Sequence, residues 1–237
     1  NASITLFEAF ILLVRPLSRA ISRALSRPLS GAESAITKVL IDLSPTSGSF
    51  YSLSTAIVFA GDFEIELDFV ISNSTTFNML LGKSGQTSPW VAVEGSGKIS
   101  TSGLGFSASS SLSYDDGLLH TLKITRAGGV AGVFVDGTQA IPDTNFSGTL
   151  EFDLIGEWRN GGFSFNGIIS DVKLTDITTP ANSLEFGLNE LTANTETNNG
   201  VTLTYQNIGT GTSVRDTYTL SNGGTQWVSD LRTIDIA

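Results

Sequence analysis

The sequence predicts an all-β protein, a two-sheet antiparallel sandwich preceded by an N-terminal helical arm. Three observations carry the sandwich. Phe63, Ile65, Leu67 and Phe69 alternate with Glu64, Glu66 and Asp68, a period of two that no helix produces. Within 115–137, Leu122 and Ile124, then Val133 and Val135, alternate with outward residues on either side of Gly128-Gly129. A glycine pair accepts φ > 0 twice, so it folds these runs back as a tight hairpin, and Asp136-Gly137 opens a further turn. Finally, strand-like runs recur at spacings near ten residues between Leu43 and Asp176, with turn residues between them and no helical period.

A chain of 237 residues can bury a full core, and sandwiches of this size run as one domain. Charged residues are only 15% and there are 25 glycine residues, which describes a turn-rich β protein and excludes a disordered one. There is no cysteine and one histidine. Disulfides, thiolate–metal sites and multi-histidine zinc sites are thereby excluded, and a histidine-based triad has little to build on. The net charge of −10 is unevenly placed. Residues 1–40 hold five Lys/Arg against two Glu (+3), and the rest hold eight against 21 acids (−13). An acidic body behind a basic leader argues against nucleic acid as a partner.

The leader is expected to be an anchoring arm, residues 1–44. Its run ITLFEAFILLV, with Phe7, Phe10 and Leu13, is too short to span a bilayer and lacks the preceding cations of a secretory signal. A tetrad then recurs as RPLS, RAIS, RALS, RPLS. On a helix from Pro16 to Arg27, bounded by Pro28, Leu17, Ile21 and Leu25 make an apolar stripe beside the cations Arg15, Arg19, Arg23 and Arg27. So short a helix is marginal alone. Its stripe is buried on its own domain, on copies of itself, on another protein or on a membrane surface, and docking into a larger assembly is the reading preferred here. Small Ala20 and Ala24 beside the stripe favour a homotrimer.

The body, residues 45–180, reads as strands in order. SFYSLS and AIVFA are two short ones, followed by FEIELDFVI, FNMLLGKS, PWVAVEG and KISTSGLGFSASSSL. The central hairpin comes next, then TLEFDLIGEW and FNGIISDVKLTDI. Residues 181–237 are expected to form a C-terminal β extension, because TNNGVTLTYQNIG and TYTLSNGGTQWVSDL alternate around Asn-Gly and Gly-Gly turns. It packs on the sandwich or on a neighbouring subunit.

The succession FEIELDF, DGLLHTLKITR, VFVDG and FNGIISDVKL, over roughly Ser49 to Asp176, resembles the laminin-G and concanavalin-A-like lectin jelly roll. The resemblance implies a jelly-roll sandwich and assigns His120 to a structural strand. It also allows calcium to be held by loop carboxylates, for which Asp115, Asp116, Asp136 and Asp143 are the candidates. The superfold hosts lectins, glycosidases, adhesion modules and virion proteins, so it does not decide function. Related jelly-roll glucanases carry Glu-x-Asp-x-x-Glu on a strand. Glu64, Glu66 and Asp68 offer Glu-x-Glu-x-Asp, which departs at the middle and last acids, and a solvated outer face accounts for them without chemistry. The chain is therefore expected not to be an enzyme.

A binding reading rests on Trp90 and on Glu157, Trp158, Arg159 and Asn160, the last four in a Gly-rich turn. Sugars stack their C–H faces on such rings while amides and carboxylates fix their hydroxyls, although either tryptophan could instead fill the core. The expected function is a bacteriophage virion protein, a tail fibre or capsid decoration. Its arm joins other virion proteins and its lectin-like head meets a cell-surface glycan, without metal or cofactor unless calcium. The alternative is a secreted or surface-attached bacterial carbohydrate-binding module.

Overall fold

The computed structural model describes residues 37–43, 49–105, 107–159, 163–188, 195–207, 213–221, 226–229 and 234–236. The expected helix and its residues Phe7 to Arg27 lie outside these. The described chain is an all-β, two-sheet antiparallel sandwich. Its strands are β1 (Thr37–Asp42), β2 (Ser49–Phe59), β3 (Phe63–Ser72), β4 (Asn78–Gly82), β5 (Trp90–Val93), β6 (Lys98–Ser102), β7 (Ala108–Ser113), β8 (Asp116–Ala127) and β9 (Val130–Val135). They continue as β10 (Thr138–Asn145), β11 (Leu150–Ile155), β12 (Gly167–Asp176), β13 (Leu184–Phe186), β14 (Thr195–Asn198), β15 (Val201–Asn207), β16 (Ser213–Ser221), β17 (Gln226–Ser229) and β18 (Ile234–Ile236). One sheet runs β10-β9-β8-β3-β12-β1-β16-β17, with β13 also on β12 and β18 on β16. The other runs β14-β15-β2-β11-β4-β5-β6-β7.

Period-two alternation sets which face is buried. Phe63, Ile65, Leu67 and Phe69 of β3 are all fully buried, and their register partners Ile124, Leu122 and His120 on β8 face the same interior. From the second sheet Phe59, Leu80, Val91, Val93, Ile99 and Phe152 close the core. Gly128 and Gly129 sit at φ 59° and 80°, and Asp136 and Gly137 at 52° and 73°. Two consecutive left-handed residues are what a tight hairpin between right-twisted strands requires. The chain beyond residue 180 supplies strands to both sheets, and Leu184, Phe186, Leu203 and Tyr205 belong to the same core as Phe63.

Two expectations are corrected. The arm does not extend to residue 44: Thr37–Asp42 pairs along its length with β16, and Asp42 pairs with Ile168 of β12. The Leu43 N–H donates to the Gly167 carbonyl at 2.8 Å, and Leu43 is buried in the core. Thr37, Val39 and Ile41 are β-branched and suit a pleated surface better than the end of a helix. SFYSLS and AIVFA form one strand rather than two. Opposite Phe152 and Leu154 the register jumps from Ile57 to Ser52, so the expected break is a register irregularity inside one continuous strand.

Candidate functional site

The site grows out of the end of β11. Gly156, at φ 81°, turns the chain out of the sheet, and the Phe165 N–H returns to the Gly156 carbonyl at 2.8 Å. The chain that leaves at Gly156 and returns at Phe165 thus has tied ends. It is laid along β4 by two further bonds, Gly156 N–H to Leu80 O at 3.0 Å and Met79 N–H to Phe163 O at 3.2 Å. Buried Asn78 pins its return. The Asn78 Oδ1 accepts from the Asn166 N–H at 3.1 Å, and its Nδ2 donates to Ser74 Oγ at 2.8 Å and Thr76 O at 2.9 Å.

The loop carries rings onto the outer face of the second sheet. Val91, Val93 and Ile99 point into the core, so Trp90, Ala92, Ser100 and Ser102, at the alternate positions of the β5–β6 register, point outward. There Phe77 meets Trp90 edge-on at 5.7 Å between centroids and Phe163 at 6.0 Å, and Phe163 meets Trp158 at 5.6 Å. Trp90, Phe77, Phe163 and Trp158 form a continuous row of four rings. Phe163 is 48% exposed. The Arg159 guanidinium lies over the Trp158 ring at 3.8 Å. Farther along the same sheet Glu94 accepts from Ser109 and Ser96 hydroxyls. Elsewhere on this sheet Lys83 bridges Glu151 at 2.8 Å and Asp153 at 3.0 Å.

Of the expected site residues, Trp90, Trp158 and Arg159 come together here, and Asn160 lies outside the described residues. Glu157 is corrected. It is fully buried, and its Oε1 accepts the Trp158 N–H at 2.7 Å while its Oε2 accepts the Ser164 hydroxyl at 2.5 Å. It holds the loop together rather than meeting a ligand. Trp158 is also less open than expected, since one face carries Arg159. Phe77 and Phe163 were missed in the sequence, where Phe77 reads as the start of the strand FNMLLGKS and Phe163 as an ordinary loop aromatic. The loop is strained as well as placed. Arg159 and Phe163 sit at φ 55° and 63°, a region costing a non-glycine residue about 1–2 kcal/mol. The Trp158 Nε1 is buried without a hydrogen-bond partner, at a cost of about 1–3 kcal/mol.

Each of the calcium candidates has a hydrogen-bond partner within the fold. The Asp115 carboxylate accepts the Ser74 N–H at 2.9 Å. Asp116 and Asp136 flank His120, at 3.1 Å from Nε2 and 2.8 Å from Nδ1, and Asp143 accepts from Gln139 at 2.6 Å. Among the described residues no three carboxylates or imidazoles converge as a metal cluster, and no helix is long and apolar enough to cross a membrane. Glu64 and Glu66 face Lys123 at 2.8 and 3.7 Å, and Asp68 accepts from the Thr121 hydroxyl at 2.7 Å. They lie on the outer face of the other sheet, away from the aromatic row.

Acid sensitivity follows from two of these carboxyls. Burial pushes Asp153 up, but the Ser84 hydroxyl and N–H, together with Lys83, outweigh it and hold the carboxyl below its ordinary 3.8. Burial likewise raises Asp116, and the Leu118 N–H and His120 bring it below. A carboxyl depressed in the folded state stabilises above its unfolded pKa, and that contribution is lost as pH falls through the folded value. Unfolding midpoints should therefore be flat above about pH 5 and fall on acidification. Asp153→Asn should be less stable at pH 7 with a shallower acid limb; an unchanged limb would remove Asp153 from the account.

No family model matches the chain, and no curated protein matches it. Among solved structures it is similar to a native heptameric SAP-like pentraxin from Limulus polyphemus, at 15% identity over 59% of this chain and 76% of that one, with a TM-score of 0.41. It is also similar to domains LG4-5 of the mouse laminin alpha1 chain, at 17% identity over 70% of this chain and 45% of that one, TM-score 0.45. A third is domain 4 of AbnA, a GH43 extracellular arabinanase from Geobacillus stearothermophilus, in complex with arabinotriose. There the identity is 13% over 54% of this chain and 62% of that one, TM-score 0.37.

Proposed function

We propose that this sandwich is a non-catalytic carbohydrate-binding head, displayed on a virion as a fibre, tail or capsid decoration. The observation that carries the binding part is the row Trp90-Phe77-Phe163-Trp158 on an outer sheet face. Partly exposed rings, set edge-on and tilted to one another, offer apolar faces to the C–H face of a sugar, and polar groups such as the Ser102 hydroxyl, on the strand position paired with Trp90, hydrogen-bond its hydroxyls. A strained loop closed by a buried carboxylate keeps the surface preformed, which lowers the ordering cost of binding. The attachment part is supported by the basic tetrad repeat of residues 15–30 in front of an acidic body. The arm seats the head on other virion proteins, and its apolar stripe brings three copies together.

Two measurements test the two parts separately. Trp90→Ala should weaken glycan binding by about 1–2 kcal/mol, or five- to thirty-fold, without changing the unfolding midpoint; equal affinity would remove the row from the binding surface. Deleting residues 1–36, which ends before β1, should leave a folded, glycan-binding head that no longer assembles as a trimer or joins particles. A truncated head that still joins particles would refute the anchoring role.

A further inference from the structure

We infer that the ligand of the aromatic row is an acidic saccharide, whose carboxylate is taken by Arg159; this inference rests on the sugar-binding reading above. Arg159 is exposed, and its guanidinium lies at van der Waals distance, 3.8 Å, over Trp158. It makes no ion pair with any described acid. Lys83, on the same sheet, is instead held between Glu151 and Asp153. Arginine elsewhere in the described chain is treated differently again, since Arg126 is buried among carbonyls and rings. The molecule is strongly acidic, yet it leaves one unneutralised guanidinium beside its exposed rings.

The chemistry of that pairing is specific. A guanidinium laid on an indole has its side-chain freedom removed in advance, while the donors at its edge stay free to grip a carboxylate in a two-point fork. Phe163, 48% exposed and in contact with the same indole, offers an apolar face next to the cation. A pyranose ring bearing a carboxylate satisfies both at once: its C–H face lies on Phe163, and its acid group reaches Arg159. A neutral sugar leaves the guanidinium unmatched. A sulfate ester shares the negative charge without the planar two-oxygen edge. The net charge of −10 does not forbid such a ligand, because repulsion from acids farther than about 10 Å is screened at 0.1 M salt.

The test uses the full chain and a trimeric uronic-acid oligosaccharide, its methyl ester, and a sulfated neutral oligosaccharide of equal length, with binding followed by calorimetry. The free acid should bind at least tenfold tighter than the ester and tighter than the sulfated sugar. Arg159→Gln should erase that preference, and Arg159→Lys should restore part of it. If ester and acid bind alike, or Arg159→Gln keeps the preference, the acidic assignment is wrong while sugar binding stands. If the sulfated sugar binds tightest, the carboxylate assignment is wrong. Absence of binding by all three, and by neutral oligosaccharides on an array, takes down the sugar-binding reading as well.

Discussion

Arg126→Ala is expected to lower the unfolding free energy by about 4 kcal/mol, combining the typical cost of truncating a large buried side chain with that of orphaned carbonyls. In a sandwich of this size that is a fall of roughly 8–16 °C in midpoint. Arg126 ends the inward-facing row of β8 and is only 2% exposed. A buried cation is normally paired with a carboxylate, but its contacts here are of another kind. Its Nη1 donates to the Gly148 carbonyl, its Nη2 donates to the Phe59 carbonyl at 3.4 Å, and its Cζ lies 5.1 Å from the Phe63 centroid and 5.2 Å from that of Phe146. The side chain closes one end of the sandwich, tying β2 and the loop before β11 to β8. Alanine would leave two carbonyls unpaired and a cavity between two rings. Methionine would keep most of the volume and remove the charge, so Arg126→Met should lose about half as much as alanine. Urea unfolding separates these outcomes, and a Met variant no more stable than Ala would show that the charge and its hydrogen bonds, not the packing, are what the site needs.

The elements legible in the sequence are those decided by local period. In β3 the alternation of four apolar and three acidic residues is reproduced as complete burial of Phe63, Ile65, Leu67 and Phe69. The Gly128-Gly129 and Asp136-Gly137 turns were readable because few residues accept φ > 0 twice in succession. What escaped depends on partners distant in the chain. β1 has three β-branched positions, too few to outweigh the helical pattern upstream, and its main partner is β16, near the other end of the chain. The aromatic row has the same character: Trp90 and Trp158 were visible as candidates, but Phe77 and Phe163 acquire a role only because Met79 bonds to the carbonyl of Phe163. Glu157 could not be read at all. A glutamate beside a tryptophan in a Gly-rich turn looks like a ligand contact, and only its burial shows that it serves the loop.

That burial makes Glu157→Ala the most informative change at the site. Among the described residues, the Glu157 Oε1 accepts the Trp158 N–H and its Oε2 the Ser164 hydroxyl, from opposite ends of the loop. Removing the acceptor leaves both donors stranded beside a void, worth about 2–4 kcal/mol by the usual cost of buried unpaired groups. Glutamine is not a neutral replacement, because its amide presents one acceptor and one donor where two acceptors are needed; it should recover only part of the loss. The consequence for binding follows from the strain at Arg159 and Phe163. Both sit in a left-handed conformation that the closed loop imposes, and without the staple they relax. Phe163 then leaves the row and Arg159 leaves the indole. Glycan affinity should fall at least tenfold, although no residue facing the ligand has been changed, because the ordering cost returns to the binding step. Tryptophan fluorescence should report the same event as increased quenching by iodide. A Glu157→Ala protein that binds glycan normally, with Trp158 still shielded, would mean that the ends tied at Gly156 and Phe165 suffice to hold the loop, and that the buried carboxylate serves stability alone.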